Sequence, residues 1–546
     1  MTASDDISKS ETNEVLPESS AYEQRIEKDV HLAAEEGYAA TDSHGVPIFE
    51  FDRLAERRLR LKIDYMVVPT VSLLYLFCFI DRSNIGNARL AGLESDLGMS
   101  GNDYNVLLSI FFISYIVFEV PCNLACKWIG PGWFIPFISL GFGVCSLGMA
   151  FVWDMPAACG VRFLLGAFEA GMMPGISYYL SRWYRRSELI FRIALFIVMA
   201  PLAGAFGGLI ASGILTLSNI GSVREWRMIF LVEGIITMGL SLIAFITLTD
   251  RPETARWLTE EEKTLAIARV KSEMLGQTAV LDKTSRKKVW LGFWNPVVLA
   301  TSLIFLFNKY VPTLQFHSQP FYVGEPGLFR DRRPPDTLPH ITVQGLAFFA
   351  PTIVASIFPT YSTVQKQLYT VPPYVVGAVF ELLLALLSWR LDKRQIFFIP
   401  VALLTMMGYI MFLASADTRV RYAAAFFTAI SCFAAGPLTN AQASAQVISD
   451  SARSMSLATN VMFGNVGGLV ATWSYLSWDG PDYPIGNGLN LAASTVTLIV
   501  ATVTLLWMNA DNKRRDTLDV GKELEGLTQA QIECLEWKHP GWRWKP

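Results

Sequence analysis

Apolar residues in this chain gather in blocks of about twenty. A helix of that length is about 30 Å long, the thickness of the hydrocarbon core of a bilayer. Twelve such blocks are legible, near 66–88, 104–124, 133–153, 157–180, 188–212, 227–248, 341–358, 372–390, 396–414, 421–446, 455–476 and 488–509. Strands of a membrane barrel would be half as long and would alternate apolar with polar residues; these blocks do not alternate. The pattern predicts an all-α membrane protein with twelve transmembrane helices. Only 17% of residues are charged and the mean hydropathy is +0.35, whereas soluble domains carry about 25% charge. A formal net charge of -3 offers no field for nucleic acid.

The polar stretches divide the chain. Residues 1–63 are polar, lack the apolar core of a signal peptide, and end in the basic run Arg53, Arg57, Arg58, Arg60 and Lys62. They read as a disordered cytoplasmic tail. Six blocks occupy 64–249, a basic central loop occupies 250–290, six more blocks occupy 291–509, and 510–546 is a second polar tail. The tails and the central loop are basic beside the membrane, so the positive-inside rule places all three in the cytoplasm. Six helices, a loop and six helices suggest two similar bundles. The second half is 33 residues longer, and nearly all the excess is the polar, proline-rich stretch 309–340, with FRDRRPPD at its centre. Removing it would fuse the run 297–307 to the block beginning at Ile341. Arg330, Asp331, Arg332 and Arg333 are costly in hydrocarbon, and a structureless loop of this length is unusual. The stretch therefore reads as retained intervening sequence in preference to a loop interrupting the seventh helix.

Signatures of soluble enzymes are absent. There is no GxSxG elbow, no GxxxxGK[ST] loop and no HExxH pair. The chain is not read as an enzyme, no cofactor is implied, and gradients must drive any transport. The five histidines lie outside the apolar blocks and the seven cysteines form no CxxC pair. No metal site is expected, and the cysteines read as small buried hydrophobes.

Charges inside apolar blocks carry the functional signal, because each costs roughly 2.5–3.5 kcal/mol to insert. The first block holds Asp81 and Arg82. About 100° separates neighbours on a helix, so these two cannot neutralise each other and each needs another partner. The fourth block holds Arg162 and Glu169, seven residues apart and so on one face, about 10 Å from each other. That gap suits a small anion or a water. Arg82 and Arg162 fall at similar depth, and two guanidiniums facing one cavity would hold a carboxylate through bidentate hydrogen bonds. Asp81 and Glu169 are the candidate proton carriers. Glu119, Glu233 and Glu381 read as structural hydrogen-bonding groups, Arg192 as an anchor snorkelling to the cytoplasmic surface, and Gln442 and Gln446 as either polar lining or helix contacts.

Several stretches resemble a known family: FCFIDRSNIGNARLAGLESDLGMS (77–100), FEVPCNL (118–124), RFLLGAFEAGMMPG (162–175), WRMIFLVEGIIT (226–237), DRPETARWLTEEE (250–262) and VPPYVVGA (371–378). The chain resembles the major facilitator superfamily and, within it, the fungal anion:cation symporters, which carry allantoate, nicotinate, pantothenate and related compounds. The resemblance implies substrate-binding roles for Arg82 and Arg162, and proton-coupling roles for Asp81 and Glu169. It also implies gating roles after the eighth block for Asp392 with Arg390 and Arg394. The loop CKWIGPGW is a degenerate form of the superfamily's gating motif, and 309–340 interrupts its continuous seventh helix.

Together these readings predict a monomeric, multi-pass plasma-membrane protein with both termini cytoplasmic. It would symport protons with a small organic carboxylate by alternating access. The alternatives are an exporter of a drug or secondary metabolite with the same fold, and a non-transporting nutrient sensor.

Overall fold

The computed structural model describes residues 52–100, 103–215, 226–271, 285–309, 363–415, 417–471, 484–528, 531–532 and 534–546. The stretch 310–340 and the block 341–358 lie outside the described residues. The other eleven blocks each coincide with a helix or a broken pair of helices, and the described residues contain no strand. Nine helices among them are long and apolar enough to span a membrane, ten if one bent pair counts as a span.

Helix α1, Arg53–Leu90, starts ten residues before the boundary expected at 63. The Asp52 carboxylate caps it, accepting the N–H groups of Leu54 and Ala55. Its basic run is therefore not part of a tail. Arg60 pairs with Glu188 at 2.9 Å and Lys62 with Glu262 at 2.6 Å, which draws the first turns onto the bundle. Helices α2, Asp103–Ile129, and α3, Pro131–Met149, turn at Gly130. Gly130 has φ +100°, and a Cβ there would lie 2.5 Å from the Asp250 carboxylate. Only glycine meets both demands.

The fourth block is two helices, α4 (Met155–Glu169) and α5 (Met172–Ser181). Pro174 lies in the first turn of α5, where its missing N–H costs nothing. The fifth block is likewise split, into α6 (Arg186–Ile197) and α7 (Met199–Leu215), and α8 is Trp226–Thr247. Helix α9, Glu260–Lys271, belongs to the central loop; Thr259 and Glu262 cap it reciprocally. The second half comprises α10 (Arg286–Phe293), α11 (Pro296–Lys309), α12 (Thr363–Leu391), α13 (Phe398–Ala414), α14 (Thr418–Ala445), α15 (Asp450–Ala471) and α16 (Pro484–Asp516). The α10–α11 pair bends by 53°.

The first half packs α3 on α8, α2 on α4 and α1 on α7; the second packs α12 and α13 on α14, and α11 on α15. The halves meet where α15 crosses α2 and where α12 crosses α6 and α7. At one such crossing a Cβ on Gly204 would lie 2.6 Å from the Tyr374 ring. Large apolar side chains face outward around the bundle, Ile246, Leu242, Phe137, Leu506 and Val503 among them. That arrangement suits a lipid solvent and would be untenable in water.

One end of the bundle carries residues 52–64, 511–528 and 534–546, and is called the tail-bearing end below. Ion pairs lace it together. Glu188 takes Arg60 and Arg269, Glu56 takes Arg185 and Arg269, and Asp64 takes Arg192 at 2.8 Å. Arg192 therefore does not snorkel. It is buried, with its guanidinium 5.0 Å from the Trp389 ring of the other half.

Candidate functional site

The divergence of neighbours on a helix decides the geometry around Asp81 and Arg82. Asp81 points toward α3 and α8, where Ser146 Oγ donates to it at 2.9 Å and Thr237 Oγ1 at 3.1 Å. Arg82 points toward α2 and α4. Its Nε and Nη2 donate to Glu169 Oε2 at 3.1 and 2.6 Å. The rings of Phe79, Phe111 and Tyr115 surround the guanidinium, each with its centroid within 5.3 Å. Both partners of this ion pair are buried, Arg82 to 5% and Glu169 to 0% side-chain exposure. Gly166 permits the approach of α4 to α2: a Cβ there would lie 2.2 Å from Ser114 Oγ and 2.4 Å from the Phe111 carbonyl.

Arg162 lies two turns from Glu169 and does not bond to it. It is 2% exposed, and its Nε and Nη2 have no hydrogen-bond partner among the described residues. Its guanidinium lies 5.8 Å from the Phe230 ring centroid. The four charged residues singled out from the sequence are thus close together but not symmetric. Glu169 occupies Arg82, while Arg162 keeps unused donors.

Glu233, expected only as a structural hydrogen-bonding group, is a further buried acid beside these four. It sits on α8 three residues after Phe230 and four before Thr237, on the same helical face. That places it between the ring under Arg162 and the hydroxyl on Asp81. Both of its carboxyl oxygens are buried and accept no hydrogen bond among the described residues. Among the described residues, no donor supplies the hydrogen bonds expected of it. Glu381 on α12 has the same orphan character. Glu119 does play a structural part, across the halves: Asn465 of α15 donates to it at 3.0 Å.

Of the candidate gating residues, the structure brings together Asp392 and Arg394, 3.3 Å apart, while Arg390 is exposed. Asp392 also pairs with Lys545 at 3.1 Å. Gln442 and Gln446 make helix-end contacts: both donate to the Lys545 carbonyl. The described residues contain no cluster of metal ligands. A small cleft inside the second half is lined by Asn308, Thr405, Tyr409, Asn490 and Thr497 among others, all uncharged.

A bundle of spanning helices with charges buried in its first half defines a membrane carrier, and comparison with known proteins agrees. The profile of the Major Facilitator Superfamily matches residues 71–472, and the chain belongs to that superfamily. It is 30% identical over 535 residues to the high-affinity nicotinic acid transporter of Saccharomyces cerevisiae, covering 96% of this chain and 92% of that one. It is 31% identical over 473 residues to an uncharacterized transporter of Schizosaccharomyces pombe, covering 86% of each. Among solved structures, the proton:xylose symporter XylE of E. coli shares the fold, with TM-score 0.60 and 16% identity over 81% of this chain and 95% of that one. The human organic anion transporter MFSD10 shares it with TM-score 0.54 and 12% identity over 80% and 99%. The protein is an integral, multi-pass membrane transporter of a small molecule, as its relatives are, and not an enzyme.

Proposed function

We propose that the protein symports protons with a small organic carboxylate, a nicotinate-like vitamin or nitrogen metabolite, by alternating access of its two bundles. The observation that carries this reading is Arg162: a guanidinium 2% exposed within an apolar bundle, with two nitrogens unpartnered among the described residues. A buried cation with unused donors is costly unless an anion completes it. A carboxylate matches the guanidinium fork. Arg82 is the second binding group, with Glu169 standing in for substrate on it.

Charge balance supplies the coupling. Asp81, Glu169 and Glu233 are buried in the same bundle as Arg82 and Arg162, three acids against two bases. Adding a monoanion to that set raises the electrostatic cost in a low-dielectric interior, and proton uptake by the acids offsets it. When Glu169 takes a proton it loosens its hold on Arg82. Arg82 and Arg162 then close on the substrate carboxylate. Asp81, held by Ser146 and Thr237, serves as the second proton carrier. Asp392 and Arg394 act in gating. The protein works as a monomer in the plasma membrane with both termini cytoplasmic, and 309–340 is foreign to the functional chain. The nicotinic acid transporter among its relatives supports a carboxylate cargo.

The test is uptake of a panel of labelled carboxylates, nicotinate and pantothenate first, into cells lacking their own carriers. The chain is expressed with and without 309–340. The proposal expects accumulation that grows with the inward proton gradient and collapses with a protonophore. Outward-only flux would overturn it in favour of an exporter, and no flux of any substrate in a folded, surface-localised protein would favour a sensor.

A further inference from the structure

The stretch expected as a polar tail is built into the tail-bearing end of the second half. Helix α16 runs to Asp516, and the chain then turns back. Trp542 and Trp544 are buried, packing with Val297, Ile448 and Met508 in a small core of their own. Trp544 Nε1 donates to Asp511 at 2.7 Å, and the Trp544 backbone exchanges two hydrogen bonds with the Asn512 amide. Arg515 donates to the His539 carbonyl.

From this anchor the segment reaches two turns of the bundle. At the α12–α13 turn, Arg394 N–H donates to the Pro546 carbonyl, and Lys545 Nζ pairs with Asp392. At the α14–α15 turn, the amides of Gln442 and Gln446 donate to the Lys545 carbonyl at 3.1 and 2.7 Å. Glu536, 1% exposed, accepts the backbone N–H groups of Ile448 and Ser449, both at 3.2 Å. Its backbone sits at φ +52°, a conformation a non-glycine residue adopts only when its surroundings impose it.

The next residue after that turn is Asp450, which ties the halves together at this end. Lys127 Nζ lies 2.9 Å from its carboxylate and Tyr178 OH donates to it at 2.9 Å, both from the first half. Lys127 also bonds Ser451, and Asn123 donates to the Ser454 carbonyl. The segment 534–546 makes its polar contacts within the second half, yet it braces the turn that presents Asp450.

We infer that segment 534–546 is a clasp that positions Asp450 for Lys127 and Tyr178, and so biases the transporter toward the conformation closed at the tail-bearing end. Glu536 is its positioning residue. The inference rests on the two-bundle architecture alone and is independent of the cargo.

Pulsed electron resonance on substrate-free, full-length protein in lipid nanodiscs tests it. Spin labels go on Arg251→Cys of the first half and Lys393→Cys of the second, both exposed at this end, with Cys122, Cys159 and Cys534 replaced by serine. The intact clasp gives one dominant short distance. Glu536→Gln leaves a neutral acceptor and is expected to raise the long-distance population roughly fivefold. Deletion of 535–546 moves it further, toward the distribution of Asp450→Asn, in which the tie itself is weakened. Adding a synthetic peptide of residues 531–546 to the deleted protein restores the short distance. If the deletion fails to fold, Glu536→Gln and Trp544→Ala are read in its place. Distance distributions unchanged in folded Glu536→Gln and Trp544→Ala proteins overturn the inference. Because no substrate is present, failure of this test is distinct from failure of the carboxylate reading.

Discussion

Replacing Glu169 by glutamine separates binding from coupling. In the structure Arg82 gives two hydrogen bonds to one oxygen of Glu169, at 3.1 and 2.6 Å, and both side chains are buried. Alanine would strand a buried guanidinium, at a cost of about 3–5 kcal/mol, and so would confound loss of function with loss of fold. Glutamine keeps an acceptor in place but removes the charge. A charge-assisted bond contributes about 1.5–3 kcal/mol and a neutral one about 0.5–1.5, so the hold on Arg82 weakens by about 1–2 kcal/mol. Released by that amount, Arg82 meets an incoming carboxylate with an advantage of roughly tenfold in affinity. The variant also cannot carry a proton at this position. In proteoliposomes, Glu169→Gln should bind a transported carboxylate about tenfold more tightly than the parent. It should exchange labelled for unlabelled substrate, and should fail to accumulate substrate when a proton gradient is imposed. Accumulation equal to the parent's, under the same gradient, would refute the assignment of Glu169 as a proton carrier.

Two further outcomes follow from local geometry. Gly166→Ala places a methyl group against Ser114 Oγ and the Phe111 carbonyl, neither of which lies at the end of a long flexible side chain. Overpacking of this kind costs about 1–3 kcal/mol, so a thermal unfolding scan in detergent should show a clear fall in Tm; an unchanged Tm would contradict the close approach of α4 to α2. The second outcome concerns pH. Burial, reinforced by the positive charge of Arg515, pushes the His539 imidazole down to about 4 from its ordinary 6.5. A neutral ring also suits its Nδ1, which accepts the Gly541 N–H. A histidine depressed in the folded state binds fewer protons than in the unfolded state, so its stabilisation is complete above 6.5 and is lost as pH falls from 6.5 toward 4, by up to about 1.4 kcal/mol per unit. Limited proteolysis between 516 and 534 should accelerate across that window, and His539→Gln should flatten the response.

Most of the fold was legible because length and hydropathy are local. Eleven blocks fall on helices, most of them within a few residues of their expected edges. The exceptions have local causes of another kind. Helix α1 extends back to Arg53 because Glu188 and Glu262, far away in sequence, neutralise its basic run. The break between α4 and α5 falls at Ala170–Gly171, and its signal, Gly171 and Pro174 close behind Glu169, was present but masked by the apolar block around it. The clasp was misread for a similar reason. Residues 510–546 are polar on average, yet Trp537, Trp542 and Trp544 lie within eight residues, and such a cluster in a polar stretch is costly to leave in water.

The site was legible in part. Burying charge is expensive wherever it occurs, so Asp81, Arg82, Arg162 and Glu169 stood out from single blocks. Who faces whom was not legible, because it depends on helix rotation in three dimensions. Glu169 turned toward Arg82 and not toward a ligand shared with Arg162, and the hydroxyls that hold Asp81 come from α3 and α8. Glu233 looked like any isolated acid beside a glycine. Its position between Phe230 and Thr237, with no hydrogen-bond donor on it among the described residues, marks it out.

The central claim is that Arg162 keeps its donors for a negatively charged cargo. Its direct measurement is equilibrium binding of a transported carboxylate to purified Arg162→Gln and Arg162→Lys proteins, each shown to be folded by its thermal unfolding. The account predicts a loss of at least a hundredfold in affinity for glutamine, about 3 kcal/mol, with partial retention for lysine, which keeps the charge without the fork. Affinity within threefold of the parent in the glutamine variant would contradict it.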